Sequence, residues 1–126
     1  MYPPIFSAVA ANPACVALLK SGSNPIRFYL FGRAPQNVAY PYAVWRQVGG
    51  SPENYLGQRP DIDSFITQVD VFATPSQGAS KAREVAQALR DAIEPVAYIT
   101  GWYGDDIDPE TNNFRFTFQA DFLTSR

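Results

Sequence analysis

Apolar and polar residues alternate strictly near the end of the chain. Phe114, Phe116, Phe118, Ala120 and Phe122 are interleaved with Arg115, Thr117, Gln119 and Asp121. Successive side chains of a strand point to opposite faces, so this pattern predicts a strand over residues 113–123 with one buried side and one wet side. The same period of two marks residues 65–73. There Phe65, Thr67, Val69, Val71 and Ala73 share one face, and Ile66, Gln68, Asp70 and Phe72 the other. Between these two strands the period changes. Ala82, Val85, Ala86, Leu89 and Ile93 recur at helical spacing and predict an amphipathic helix over residues 80–94, stopped by Pro95. Its outward positions are Arg83, Glu84, Gln87, Arg90, Asp91 and Glu94.

The remaining elements are weaker. Pro3 and Pro4 suit the first turn of a short helix with Ile5, Phe6, Val9 and Ala10 on one side. Asn12 and Pro13 suit the N-cap and first position of a second helix, with Cys15, Leu18 and Leu19 facing inward. Residues 26–31 form a candidate strand or an extended connection over the core. Residues 42–48 read as a strand with Tyr42, Val44, Arg46 and Val48 on one face and Ala43, Trp45 and Gln47 on the other. Residues 49–60 read as a long polar loop, and long loops without structure of their own are often functional. Residues 97–103 pair with the last strand through a wide hairpin over residues 104–112.

Composition narrows the class. At 126 residues the chain fits one domain, residues 1–126, and 46% hydrophobic with 14% aromatic residues is enough for a core. A net charge of −2 argues against a free-standing basic nucleic-acid binder. Eight of the ten basic residues are Arg, a residue favoured at protein interfaces, although host base composition produces the same bias. The single cysteine, Cys15, excludes an intrachain disulfide and reads as a buried structural thiol. The N-terminus lacks the basic region of a signal peptide, and no apolar stretch approaches the ~20 residues of a membrane helix. The expectation is a soluble protein made in a reducing cytoplasm, with no membrane partner.

Candidate chemistry is sparse. The chain has no histidine, which removes Ser-His-Asp and Cys-His catalysis and the commonest zinc ligand. No glycine-rich phosphate loop of the Walker type is present. Asp105, Asp106, Asp108 and Glu110 form one carboxylate cluster, and alternating carboxylates can hold calcium. The run lacks the glycine and distal glutamate of an EF-hand loop, so it reads as a solvated turn. No catalytic residue, metal or cofactor is therefore expected. Three features read as contact surface: Tyr40, Tyr42 and Trp45 with Arg46; Tyr98, Trp102 and Tyr103; and Tyr55, Leu56 and Arg59 in the long loop. Core or sheet-edge packing accounts equally well for the first two, and a plain surface loop for the third.

The order of these segments resembles a known family. Residues 41–50 (PYAVWRQVGG) precede residues 65–73 (FITQVDVFA), the helix, and the closing residues 114–122 (FRFTFQADF). This is similar to the tail-completion or tail-terminator family of long-tailed bacteriophages, over roughly residues 4–124. The resemblance implies an α/β (α+β) fold with a mixed or mainly antiparallel sheet and helices packed on one face. It implies a structural virion protein at the head–tail interface: a homo-hexameric ring that caps the tail tube, stops its polymerisation and joins the head-closure or connector protein. Genomic DNA would pass through the lumen without sequence-specific binding. The family offers no catalytic residues to carry over. Residues 24–35 are more apolar than the family's first linker, which implies an added strand or contact.

A ring needs head-to-tail contacts, and loops and sheet edges are natural places for them. The candidate subunit or tail-tube contacts are Tyr42, Trp45, Arg46, Tyr55, Leu56, Arg59, Trp102, Asp105, Asp106, Asp108 and Glu110. The rival readings are another neck component such as a head-closure or stopper protein, a minor tail protein, or a small ligand-binding α+β domain with a pocket between sheet and helices.

Overall fold

A computed structural model describes residues 5–53 and 62–125, with side chains placed over residues 5–48 and 65–122. Two short helices come first, α1 (Ile5–Ala10) and α2 (Pro13–Leu19). The cap expected at Asn12 is present: its side-chain oxygen accepts from the Ala14 and Cys15 amides at 3.0 and 3.2 Å, with Pro13 following. α1 buries Ile5 and Val9 and leaves Phe6 half-exposed against Phe28, ring centroids 6.5 Å apart. Three strands follow, β1 (Phe28–Leu30), β2 (Tyr42–Glu53) and β3 (Ile62–Ala73). Then come α3 (Ala79–Ile93), β4 (Tyr98–Ile107) and β5 (Phe114–Ser125).

The strands form one mixed five-stranded sheet in the order β1-β2-β3-β5-β4. β1 runs parallel to β2, and every other pairing is antiparallel. β3 is central and pairs with β5 from Ile62↔Ser125 to Ala73↔Phe114 without a break. The fold is therefore α+β with a mixed sheet.

All three helices contribute to one core with one face of the sheet. α3 supplies Ala82, Val85, Ala86, Leu89, Ala92 and Ile93, and α2 supplies Cys15 and Leu19. β3 supplies Phe65, Val69, Val71 and Ala73, and β5 supplies Phe116, Phe118, Ala120 and Phe122. Each fully buried phenylalanine contributes about 1.5–3 kcal/mol relative to an exposed one. Thr67 shares this face and is fully buried, but its hydroxyl donates to the Ala120 carbonyl at 3.0 Å, so its polarity is satisfied. The Cys15 thiol is likewise buried, 3.2 Å from the Ala88 carbonyl. Among the described residues no helix is long and apolar enough to cross a membrane.

Three boundaries differ from the sequence expectation. Residues 49–60 are not loop throughout. Residues 49–53 continue β2 and pair with residues 62–66, after a register shift between Gln47 and Gly49. Among the described residues β2 has β1 beside it only over residues 43–45, so Pro52 falls where the lack of an amide donor is tolerated. Residues 105–107 are likewise strand: Asp105, Asp106 and Ile107 pair with Phe116, Arg115 and Phe114. The turn is thus narrower than residues 104–112. The candidate strand at residues 26–31 is three residues long: a turn in which the Arg33 amide donates to the Leu30 carbonyl follows it, and before it stands Arg27, whose backbone amide donates to the Leu19 carbonyl at 2.8 Å. The Arg27 guanidinium donates to the Pro41 carbonyl at 2.9 Å, the Ser21 hydroxyl at 2.7 Å and the Leu18 carbonyl at 3.3 Å.

Candidate interaction surface

With the helices on one side, the other face of the sheet carries the outward half of each alternating strand. Tyr42 lies between Tyr40 and Phe72, with ring centroids at 5.1 and 5.0 Å. Burial, with Tyr40 adding to it, pushes the Tyr42 hydroxyl up to about 12. Arg46 stands over Phe31 at 5.7 Å from its centroid. Asp70 accepts from the Thr117 hydroxyl at 2.7 Å and from the Gln68 amide at 3.3 Å. Phe31, Tyr42, Arg46, Gln68, Asp70 and Phe72, with Arg115, Asp108 and Glu110, line an open concavity of about 380 Å³. Its walls are aromatic at Phe31, Tyr42 and Phe72 and charged of both signs elsewhere.

β4 forms the far edge of the sheet, and its two aspartates face opposite ways. Asp105 accepts from Arg83 of α3 at 2.7 Å on the helix side. Asp106 accepts from Arg115 of β5 at 2.7 Å and from the Ile107 amide at 2.8 Å on the open side. The Arg115 hydrogen bond holds the Asp106 carboxyl below the usual carboxylate range. Asp108 closes the turn: its carboxylate accepts from the Glu110 amide at 3.2 Å and the Thr111 hydroxyl at 3.0 Å. The carboxylates of Asp105, Asp106 and Asp108 are thus spent on chain geometry, and among the described residues no group of three or more acidic or sulfur ligands is gathered for a metal.

The same edge is rich in exposed apolar side chains. Tyr98 is 69% exposed, Tyr103 63%, Ile107 54% and Trp102 39%. Trp102 packs on Phe116 and Phe118, ring centroids at 4.7 and 5.5 Å, and is covered from outside by the Arg90 guanidinium at 5.0 Å. Two register shifts, between Ile99 and Gly101 and between Trp102 and Gly104, break the regular ladder to β5.

The contacts expected from sequence are therefore spread over two neighbouring surfaces. Tyr42 and Arg46 line the open face; Trp102, Asp105 and Asp106 lie along the β4 edge; Asp108 and Glu110 belong to the turn that joins edge to face. Trp45 is 5% exposed and belongs to the core, beside Ala43, so its side chain is no surface contact. Tyr55, Leu56 and Arg59 lie outside the described residues. The sequence reading missed Phe31, Phe72 and Arg115 as parts of one concavity, since only the strand order brings them together.

The family model described as Tail completion protein gp17 matches residues 3–125. The chain belongs to that family. The tail completion assignment makes it a bacteriophage tail protein with a structural role, and the segment order that suggested the resemblance is borne out. No curated protein matches the chain. A tail completion protein acts among other tail or head components of the virion.

Proposed function

We propose that this subunit completes the tail by closing, with copies of itself, into a ring on the end of the tail tube. The ring stops tube polymerisation and presents the surface to which the head-closure or connector protein joins, and DNA passes through its lumen. The whole of residues 1–126 acts as one domain in this role, which is structural and not enzymatic.

The observation that carries this reading is the β4 edge. A sheet edge with Tyr98, Trp102, Tyr103 and Ile107 all exposed is a poor surface for a protein that stays alone. A subunit that acquires neighbours covers it. The test is negative-stain electron microscopy of the purified protein, alone and mixed with tail tubes, with native mass measurement alongside. Closed rings, or density capping one end of the tube, are the expected result. A persistent monomer or dimer that leaves tube ends bare would move the protein to another position in the neck.

A further inference from the structure

The concavity on the open face of the sheet holds an excess of negative charge beside aromatic rings. Arg46 and Arg115 are its guanidiniums, and Asp70, Asp108 and Glu110 its carboxylates. Arg115 is already bound to Asp106 at 2.7 Å. Its charge is favoured first by that hydrogen bond, against the cost of burial, and then by the charges of Asp70, Asp106 and Asp108. One cation thus serves three carboxylates. Among the described residues neither Arg46 nor Glu110 forms an ion pair. With Asp106 counted, four carboxylates stand against two guanidiniums. Asp70 takes donors from Thr117 and Gln68 and still has acceptor capacity left. The strand register sets rings beside this charge. Tyr42 and Phe72 pair across β2 and β3, stack at 5.0 Å and are each only partly buried, and Phe31 is 64% exposed.

We infer that this concavity receives an arginine side chain presented by another protein of the virion. A tail completion protein meets other virion components whether or not it forms a ring, so the contact does not depend on the ring. The signs and the rings select the occupant. Excess carboxylates repel an anion, and a purely apolar segment would strip water from Asp70 and Glu110 and return no hydrogen bond. A cation is attracted, and the aromatic walls choose which cation. A guanidinium is planar, stacks on a ring face and donates two parallel hydrogen bonds to a carboxylate; an ammonium is a compact, strongly hydrated point charge. The chain uses the same pairing within itself, with Arg90 5.0 Å from the Trp102 centroid and Arg46 5.7 Å from that of Phe31. The concavity is also open, so a free small molecule would keep much of its surface in water. A side chain carried by a larger body brings its own cover. Asp70 and Glu110 are the carboxylates that receive it, because Asp106 is bound to Arg115 and Asp108 to the turn.

The test is an NMR titration of the isotope-labelled full chain with a blocked peptide of glycine and serine around one central arginine. Saturable shifts confined to Tyr42, Phe72, Asp70, Glu110 and their neighbours are the expected result. The same peptide with lysine binds at least about threefold more weakly, and with citrulline, the uncharged analogue, it does not bind. Glu110→Arg, at an exposed turn position, weakens binding at least about fivefold; Asp70→Asn, which keeps an acceptor for Thr117, weakens it about two- to fivefold. Circular dichroism and thermal midpoints establish that both variants are folded. Equal binding of the citrulline peptide, shifts scattered over all the acidic residues, or no saturation by about 10 mM overturns the site and leaves tube capping standing. A photo-crosslinking residue in place of Phe31 in assembled tails then reads the partner. A joined segment of another protein that carries an arginine is expected. A segment without arginine, or a second copy of this chain alone, overturns the assignment.

Discussion

The phenol ring of Tyr103 lies in the space that a β-carbon on Gly101 would occupy. An added carbon there would overlap Cζ and Oη of the ring and stand 2.8 Å from Cε2. Tyr103 reaches back over Gly101 because its hydroxyl donates to the Gln119 side chain at 3.1 Å, across the strand pair. Gly101 pairs with Gln119, so the missing side chain opens the path for that bond.

Gly101→Ala is expected to push Tyr103 off the sheet and destabilise the fold by about 0.5–1.5 kcal/mol, the scale of one hydrogen bond. The ring is exposed and can swing away, which keeps the cost small. In a Tyr103→Ala background the same change is neutral or stabilising, since alanine restricts the unfolded chain more than glycine does. A double-mutant cycle by urea unfolding checks this, and equal costs in both backgrounds would dismiss the contact.

The Asp106–Arg115 pair makes a pH prediction. The carboxyl is lowered by the Arg115 hydrogen bond first and the Ile107 amide second. A group depressed in the folded state contributes stability above its unfolded value, about 4, and loses that contribution as pH falls through the folded value. Asp106→Asn should therefore be less stable than wild type at neutral pH, with the difference shrinking towards zero in acid. Carbon-detected NMR titration of Asp106 should show a midpoint below the ordinary range, rising towards it in Arg115→Gln but held partly down by the Ile107 amide.

Cys15 is expected to resist thiol reagents until the protein unfolds. Burial, with the charge of Asp91 adding to it, raises its thiol from 9.0 to about 11. Little thiolate is present at pH 8, and what reacts is the thiolate. Labelling by a disulfide reagent should be slow in buffer and complete in denaturant. Because the folded value is the raised one, the linked stability is full below pH 9 and is lost as pH climbs towards about 11.

Phe118 tests the core. It is fully buried, pairs with Val69 on β3 and packs against Trp102 of β4. Phe118→Ala should cost about 3–5 kcal/mol, and chemical denaturation would read it. A loss under 1 kcal/mol would mean that the sheet and α3 do not close on this residue.

The elements legible in the sequence are those whose signal is local. The Asn12 cap, the α3 stripe from Ala82 to Ile93, and the alternation in β3 and β5 all follow from neighbours within a few positions. What was not legible depends on partners far along the chain. Gly49, Gly50 and Pro52 have little strand preference, and only pairing with β3 keeps them extended. Gly104, Asp105 and Asp106 read as a turn, yet Phe116 and Arg115 hold the two aspartates in β4. The register shifts at Gly101 and Gly104 break the period of two, so the strand expected over residues 97–103 gave no sign of running on to Ile107. Trp45 and Tyr42 are equally aromatic and stand three positions apart; which one faces the core follows from the register of β2 on β3, fixed by Tyr42↔Phe72 and Trp45↔Val69.

The place of β5 in the sheet also fixes an order of events during synthesis. β3 sits at the centre, but its second neighbour is the fifth strand to leave the ribosome, more than forty residues later. Until residues 114–125 emerge, Val69 and Val71 have a bare flank and α3 has no phenylalanine bed to settle on. Pairing across such a separation is slow. A nascent chain halted after β4 would carry an unpaired strand edge beside uncovered apolar surface, the combination that makes an incomplete chain prone to aggregate.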